Sequence, residues 1–146
     1  MDARSHLRTP RAPSAVLAHI DDLTRYPAWM RLIHTVEPLE PDERGPAWRI
    51  ELRARLGPFA RSKRLRMVRT VHESSGRIVF ERIEDDGRDH APWVLTLTLR
   101  SEGPDGPTDL DVHLYYGGSL WTGGVLERVL ADEVDRGRDR LLSLLQ

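Results

Sequence analysis

LWTGGVLERVLADEVDRGRDRLLSLL, residues 120–145, is the stretch whose reading decides the fold. Its apolar residues Leu126, Val129, Leu130, Val134, Leu141, Leu144 and Leu145 recur at helical spacing and draw one greasy face. The opposite face carries Glu127, Arg128, Asp132, Asp135, Arg136, Arg138 and Arg140, with Arg128–Asp132 and Asp132–Arg136 spaced i,i+4. No proline interrupts the stretch, so at ~1.5 Å per residue it makes a rod of roughly 40 Å. Such a helix needs a broad apolar surface to lie on.

The sequence ahead of the helix supplies one. A weak strand around residues 5–9 has Leu7 as its only strongly apolar residue. Pro13 and Ser14 open a helix with Val16, Leu17, Ile20 and Leu23 inward, and Pro27 is expected to break it. A second helical piece spans 26–32, with Trp29 and Met30 as core anchors. From Ile33 the period changes to two: 33–40, then Trp48, Ile50, Leu52, Ala54 and Leu56 alternating with Arg49, Glu51, Arg53 and Arg55. Strands over 61–73, 77–84, 93–100 and 110–116 follow, separated by turns rich in Gly, Pro, Ser and Asp. Hairpins imply an antiparallel sheet with one solvated face, and its inner face must wrap the long helix. The fold class is α+β, a curved antiparallel sheet of six to seven strands around a C-terminal helix.

Composition sets the remaining bounds. A chain of 146 residues fits a single domain over 1–146, and 39% hydrophobic with 31% charged residues is ordinary for a globular protein. A net charge of −1 gives no global field toward nucleic acid. With no cysteine there are no disulfides, thiol catalysis or cysteine metal sites. No secretory leader or bilayer-long apolar run is read, so a cytoplasmic location and no integral membrane segment are expected. His6, His19, His34, His72, His90 and His113 show no i,i+3 or i,i+4 pairing, and no phosphate loop, HExxH or nucleophile elbow occurs, so neither metal nor cofactor is expected.

The element order, with Ala12-Pro13-Ser14-Ala15-Val16-Leu17 followed by Asp22-Leu23-Thr24-Arg25-Tyr26-Pro27-Ala28-Trp29-Met30, resembles the START/Bet v 1-like (SRPBCC) superfamily. Within it, the likeness is to the bacterial polyketide cyclase/dehydrase and lipid-transport family, which commonly has a Pro-led first helix and then D-L-x-x-Y-P-x-W. The resemblance implies a helix-grip fold with a cavity for a small hydrophobic molecule between sheet and helix. It also implies a mouth near residues 57–60, 85–91 and 117–121. The implied role is a carrier or sensor of a lipid, polyketide or quinone-like molecule. Alternatives are an aromatase/cyclase-like enzyme and an interaction module, because one fold serves several functions.

The residues offer candidates for each. A turn at Ser74-Ser75-Gly76 pairs Val71 with Val79, Arg69 with Glu81 and Met67 with Ile83. A turn at Pro58-Phe59 pairs Leu52 with Leu65, Ile50 with Met67 and Trp48 with Arg69. The inner wall then holds one polar feature, Arg69 stacked on Trp48 and paired with Glu81. This register exposes Ile78 and Phe80. A slip by one buries both and sets Arg69 beside Phe80 or Arg82 instead. Expected ligand contacts are Trp48, Leu52, Phe59, Met67, Arg69, Glu81, His90, Trp93, Leu95, Tyr116, Trp121 and Val125. For catalysis Arg69, Glu81 and Tyr116 are candidates as orienter, base and acid. The interaction reading rests on Arg49, Arg53, Arg55, Arg64 and Arg66, opposed only by Glu51. That surface suits an acidic partner or lipid headgroups better than nucleic acid, since no aromatics are interleaved for stacking. Oligomeric state is not legible.

Overall fold

The computed structural model describes residues 1–73, 76–118 and 124–146. In them, strands β1 Asp2–Thr9, β2 Ile33–Asp42, β3 Gly45–Leu56, β4 Phe59–His72, β5 Arg77–Arg82, β6 Trp93–Ser101 and β7 Thr108–Tyr116 form one antiparallel sheet. Its order is β1-β7-β6-β5-β4-β3-β2. Helix α1 Pro13–Ile20 and a 3-10 helix Leu23–Ala28 carry the chain from one edge strand to the other. Helix α2 Val125–Leu144 lies in the curve of the sheet, which is the helix-grip arrangement.

α2 buries Leu126, Leu130, Val134, Gly137 and Leu141, with Leu145 just beyond it, as the helical spacing requires. Leu144, expected on that stripe, is instead exposed, because Leu145 takes the inward position at the frayed end. Gly137 is where a ring meets the helix. A Cβ there would lie 3.3 Å from the Trp29 carbonyl oxygen and 3.5 Å from its Cε3 atom.

The first strand is longer than its sequence suggested. Ala3, Ser5, Leu7 and Thr9 point inward and all are buried. Small inward residues let α2 approach, and the Ser5 hydroxyl donates to Asp135 of that helix at 2.9 Å. The outward residues are held electrostatically across to β7: Arg8 to Asp109 at 2.7 Å, and His6 to Asp111 at 2.9 Å. The helical break also moves. It falls at Asp22, whose carboxylate accepts from the Thr24 amide at 2.9 Å, while Pro27 is accommodated inside the 3-10 helix. Tyr26 and Trp29 then donate to the free carbonyls of Ile20 and His19 at the end of α1.

Both expected hairpin registers need correction. β3 and β4 turn at Gly57-Pro58, with Gly57 at φ 63°, which meets the need for glycine at the first central position of a type II′ turn. Every partner shifts by two residues while the faces are kept, so Met67, not Arg69, stands opposite Trp48. In the next hairpin Val71 does face Val79, but a bulge between Arg69 and Val71 slips the rest by one. Arg69 therefore faces Phe80, and Met67 faces Arg82. Ile78 and Phe80 become almost fully buried, and that apolar gain outweighs an Arg69–Glu81 pair. The turn residues Ser74 and Ser75 lie outside the described residues.

Candidate functional site

The inner face of the sheet, the 3-10 helix and the segment after it enclose an apolar cavity of about 20 Å³. Its walls include Met30, Leu52, Met67, Trp93, Leu95 and Leu114. That space takes about one water-sized molecule.

One row of inward side chains crosses the sheet at the end of this cavity. Trp48 faces Met67, Met67 faces Arg82, and Trp93 faces Tyr116. Arg82 and Trp93 sit one step past the last β5–β6 pair, Glu81–Val94, so they continue the row between Met67 and Tyr116. Alternation explains the content: Phe80 is inward, hence so is Arg82. Trp93 packs on Tyr116 with ring centroids 4.4 Å apart.

Among the described residues, two donors in this row lack acceptors. The Arg82 side chain is 6% exposed, and its Nε has only the Glu84 carboxylate at 3.9 Å, beyond hydrogen-bond reach. One terminal nitrogen makes a long bond to the Ala91 carbonyl at 3.4 Å. The Trp93 indole nitrogen is likewise buried and without a partner. Glu84 is engaged elsewhere, accepting from the Arg66 amide at 2.7 Å and from Arg49 at 3.4 Å. Lys63 occupies the same sheet face, two residues from Leu65. Its ammonium is held below its ordinary range by partial burial and then by the Arg82 charge, against the opposite pull of Glu84. Two cations therefore share one carboxylate beside a cavity whose own walls are wholly apolar.

The sequence-derived candidates are dispersed around this centre. Leu52, Met67, Trp93 and Leu95 line the cavity, and Tyr116 backs Trp93. Trp48 is buried edge-on against Phe80, 5.7 Å between centroids. Arg69 donates to the Asp21 carbonyl at 2.6 Å, and its Nε is a third buried donor without a partner. Glu81 bonds the Thr70 hydroxyl and lies 3.9 Å from Arg44, so Arg69, Glu81 and Tyr116 do not converge. His90 meets Asp86 at 2.8 Å in its loop, Phe59 is exposed at a hairpin tip, and Val125 is exposed at the start of α2. Trp121 lies outside the described residues. Arg82, Lys63 and Glu84 were missed. The signal for Arg82 was the alternation Phe80–Arg82, which points inward once Phe80 is buried, and for Lys63 the alternation Lys63–Leu65–Met67 on β4. Glu84 lies past the end of β5 and carried no such signal.

This architecture is shared with solved structures. A START superfamily protein from Mycobacterium smegmatis matches with a TM-score of 0.73 at 16% identity, covering 99% of this chain and 96% of that one. A protein from Thermus thermophilus matches at 0.71 and 14% identity, covering 99% and 97%. The Zhui aromatase/cyclase from Streptomyces sp. R1128 matches at 0.65 and 11% identity, covering 98% and 92%. At these identities the likeness is one of fold. No curated protein matches the sequence. The sequence model for polyketide cyclase/dehydrase and lipid transport proteins, however, matches residues 9–142, from the end of β1 almost to the end of α2. A sheet wrapped around a C-terminal helix and a match of that extent place this chain in the polyketide cyclase/dehydrase and lipid transport family.

Proposed function

We propose that the whole chain acts as one binding unit for a small amphipathic molecule, as a carrier or sensor. The ligand's apolar body fills the cavity, and a head bearing a hydrogen-bond acceptor meets Arg82 and Trp93. Carboxylate, phenolate, enolate or quinone carbonyl heads all fit that description. The observation that carries this reading is the pair of buried, unpartnered donors at the end of an apolar space. Leaving a buried donor unmade costs about 1–3 kcal/mol, and a ligand acceptor would recover that cost. A ligand must also make room for itself. Met30 and Met67, unbranched and adaptable, are the wall residues best able to swing aside.

An aromatase/cyclase-like role is the second reading. It is favoured by Tyr116 standing beside Trp93 in the same row, where a guanidinium would hold an enolate and a phenol would supply a proton. Native mass spectrometry of freshly purified protein separates the two. A retained apolar adduct, lost in Arg82→Met, is expected. A protein without adduct that converts a linear poly-β-ketone into an aromatic product would replace the carrier reading with the cyclase one.

A further inference from the structure

The tip of the β3–β4 hairpin stands clear of the sheet. Pairing of β2 with β3 ends at Ile33–Leu52, and pairing of β5 with β4 ends at Met67–Arg82. The Arg53 amide still donates to the Leu32 carbonyl at 2.9 Å. The rungs beyond it, from Ala54–Arg61 to Leu56–Phe59, join only each other, which makes a two-stranded arm of roughly 10 Å at ~3.3 Å per residue. No acid occurs between residues 52 and 72, although the chain as a whole has a net charge of −1. Arg53, Arg55, Arg61, Lys63 and Arg64 line the arm. Glu51 answers Arg53 and Arg64, 3.9 Å from each, and Glu84 attracts Lys63. Among the described residues Arg55 and Arg61 make no ion pair; Arg61 instead lies over the Phe59 ring at 5.9 Å. Phe59 itself is 63% exposed.

The same end of the molecule carries other exposed apolar groups. Tyr115 lies near the end of β7, which runs alongside the start of β6. Val125 opens α2, whose contact at Ser5–Asp135 and end near Arg11 set its start toward the Asp2–Tyr115 end of β1. In the neighbouring acidic loop Glu84 and Asp85 meet Arg66 and Asp86 meets His90, while Asp89 makes no ion pair among the described residues.

The geometry points to this arm as a docking surface for an anionic phospholipid bilayer, with Phe59 entering the headgroup boundary and Arg53, Arg55, Arg61 and Arg64 resting on phosphates. Charge complementarity favours an anionic surface, and the exposed ring amid the cations favours a bilayer over a bare polyanion, which has no use for an apolar anchor. The arm also stands beside the cavity, since Leu52 and Leu65 at its base line it. Docking there would place the cavity next to the lipid. The inference stands on the surface alone and does not require the ligand reading. No described helix is long and apolar enough to cross a membrane.

Vesicle co-sedimentation of the full chain tests it. The vesicles contain either phosphatidylcholine alone or about one-third phosphatidylglycerol, at about 0.1 M salt. Binding to the anionic vesicles and not to the neutral ones is expected. Arg55→Glu with Arg61→Glu should weaken it at least about 25-fold, at about fivefold per removed cation. Phe59→Ala should weaken it about tenfold. All three positions are exposed, and far-ultraviolet circular dichroism checks that the variants stay folded. No binding to anionic vesicles, or equal binding to neutral ones, overturns the proposal. So does a Phe59→Ala protein that binds like the parent while the charge variant fails, because the arm would then be a plain polyanion surface, as heparin competition would show.

Discussion

At the scale of single residues, the cost of Arg82 where it stands is informative. A guanidinium 6% exposed, with its nearest carboxylate at 3.9 Å and already shared, contributes little to folding and loses much hydration. Methionine of similar length would fill the same space without that loss. Arg82→Met should therefore leave the denaturation midpoint unchanged or raise stability by about 1 kcal/mol, while the retained ligand is lost. A clear loss of stability in a urea titration would mean that Arg82 is a structural residue. Trp93→Phe keeps the ring on Tyr116 and removes only the donor. It should weaken an acceptor-headed ligand about three- to tenfold, read by calorimetric titration, with little effect on the fold. Gly137 makes the opposite case. The contacts at 3.3 and 3.5 Å are to the backbone oxygen and ring of Trp29, which is fully buried and cannot step back. Gly137→Leu should cost about 2–3 kcal/mol in chemical denaturation.

Among the elements, the long helix, the hairpins and, except in β5, their faces were legible because hydrophobic period is a strong signal. β1 was less so. Its inward positions are Ala3, Ser5, Leu7 and Thr9, chosen for closeness to α2 rather than for apolarity, and that choice is visible only when the helix is beside it. What the sequence does hold is charge complementarity, Arg4-x-His6-x-Arg8 against Asp109-x-Asp111. The register of β4 with β5 was illegible for a different reason. The bulge after Arg69 keeps Val71 with Val79 on one side and slips by one on the other, so each of the two possible registers is satisfied in part. Arg82 came to the inner face of the sheet, and Glu81 left it, through that single inserted residue. Gly45 belongs to the same arrangement: a Cβ there would sit 2.1 Å from the Arg69 carbonyl oxygen.

The β1–β7 seam also has a pH dependence. The Asp2 carboxyl is held below its usual range by its hydrogen bond with His113. For Asp111, partial burial pushes upward, but bonds with His6 and Arg100 outweigh it and the net direction is down. A carboxyl lowered on folding contributes stability that is present above its unfolded value near 3.8 and is lost as pH falls through the lower folded value. The denaturation midpoint should therefore decline as the solution is acidified below about pH 4, and Asp111→Asn should flatten part of that decline. An identical slope in the variant would show that the seam does not carry it.

For the whole molecule, the central quantity is the difference between the roughly water-sized cavity that stands open and the ligand that must enter it. A protein that opens to admit a ligand gains stability when it does so. At a free ligand concentration a hundred times Kd, the gain is about 2.7 kcal/mol, which a thermal shift reads directly. The account's central claim is narrower: an apolar body in the cavity with an acceptor head on Arg82 and Trp93. The most direct measurement titrates dodecanoate and dodecanol into the parent chain and into Arg82→Met, following tryptophan fluorescence. The prediction is that the parent prefers the carboxylate by about tenfold or more, and that Arg82→Met binds the two amphiphiles alike. Equal affinities in the parent, or a preference that survives the substitution, would contradict it.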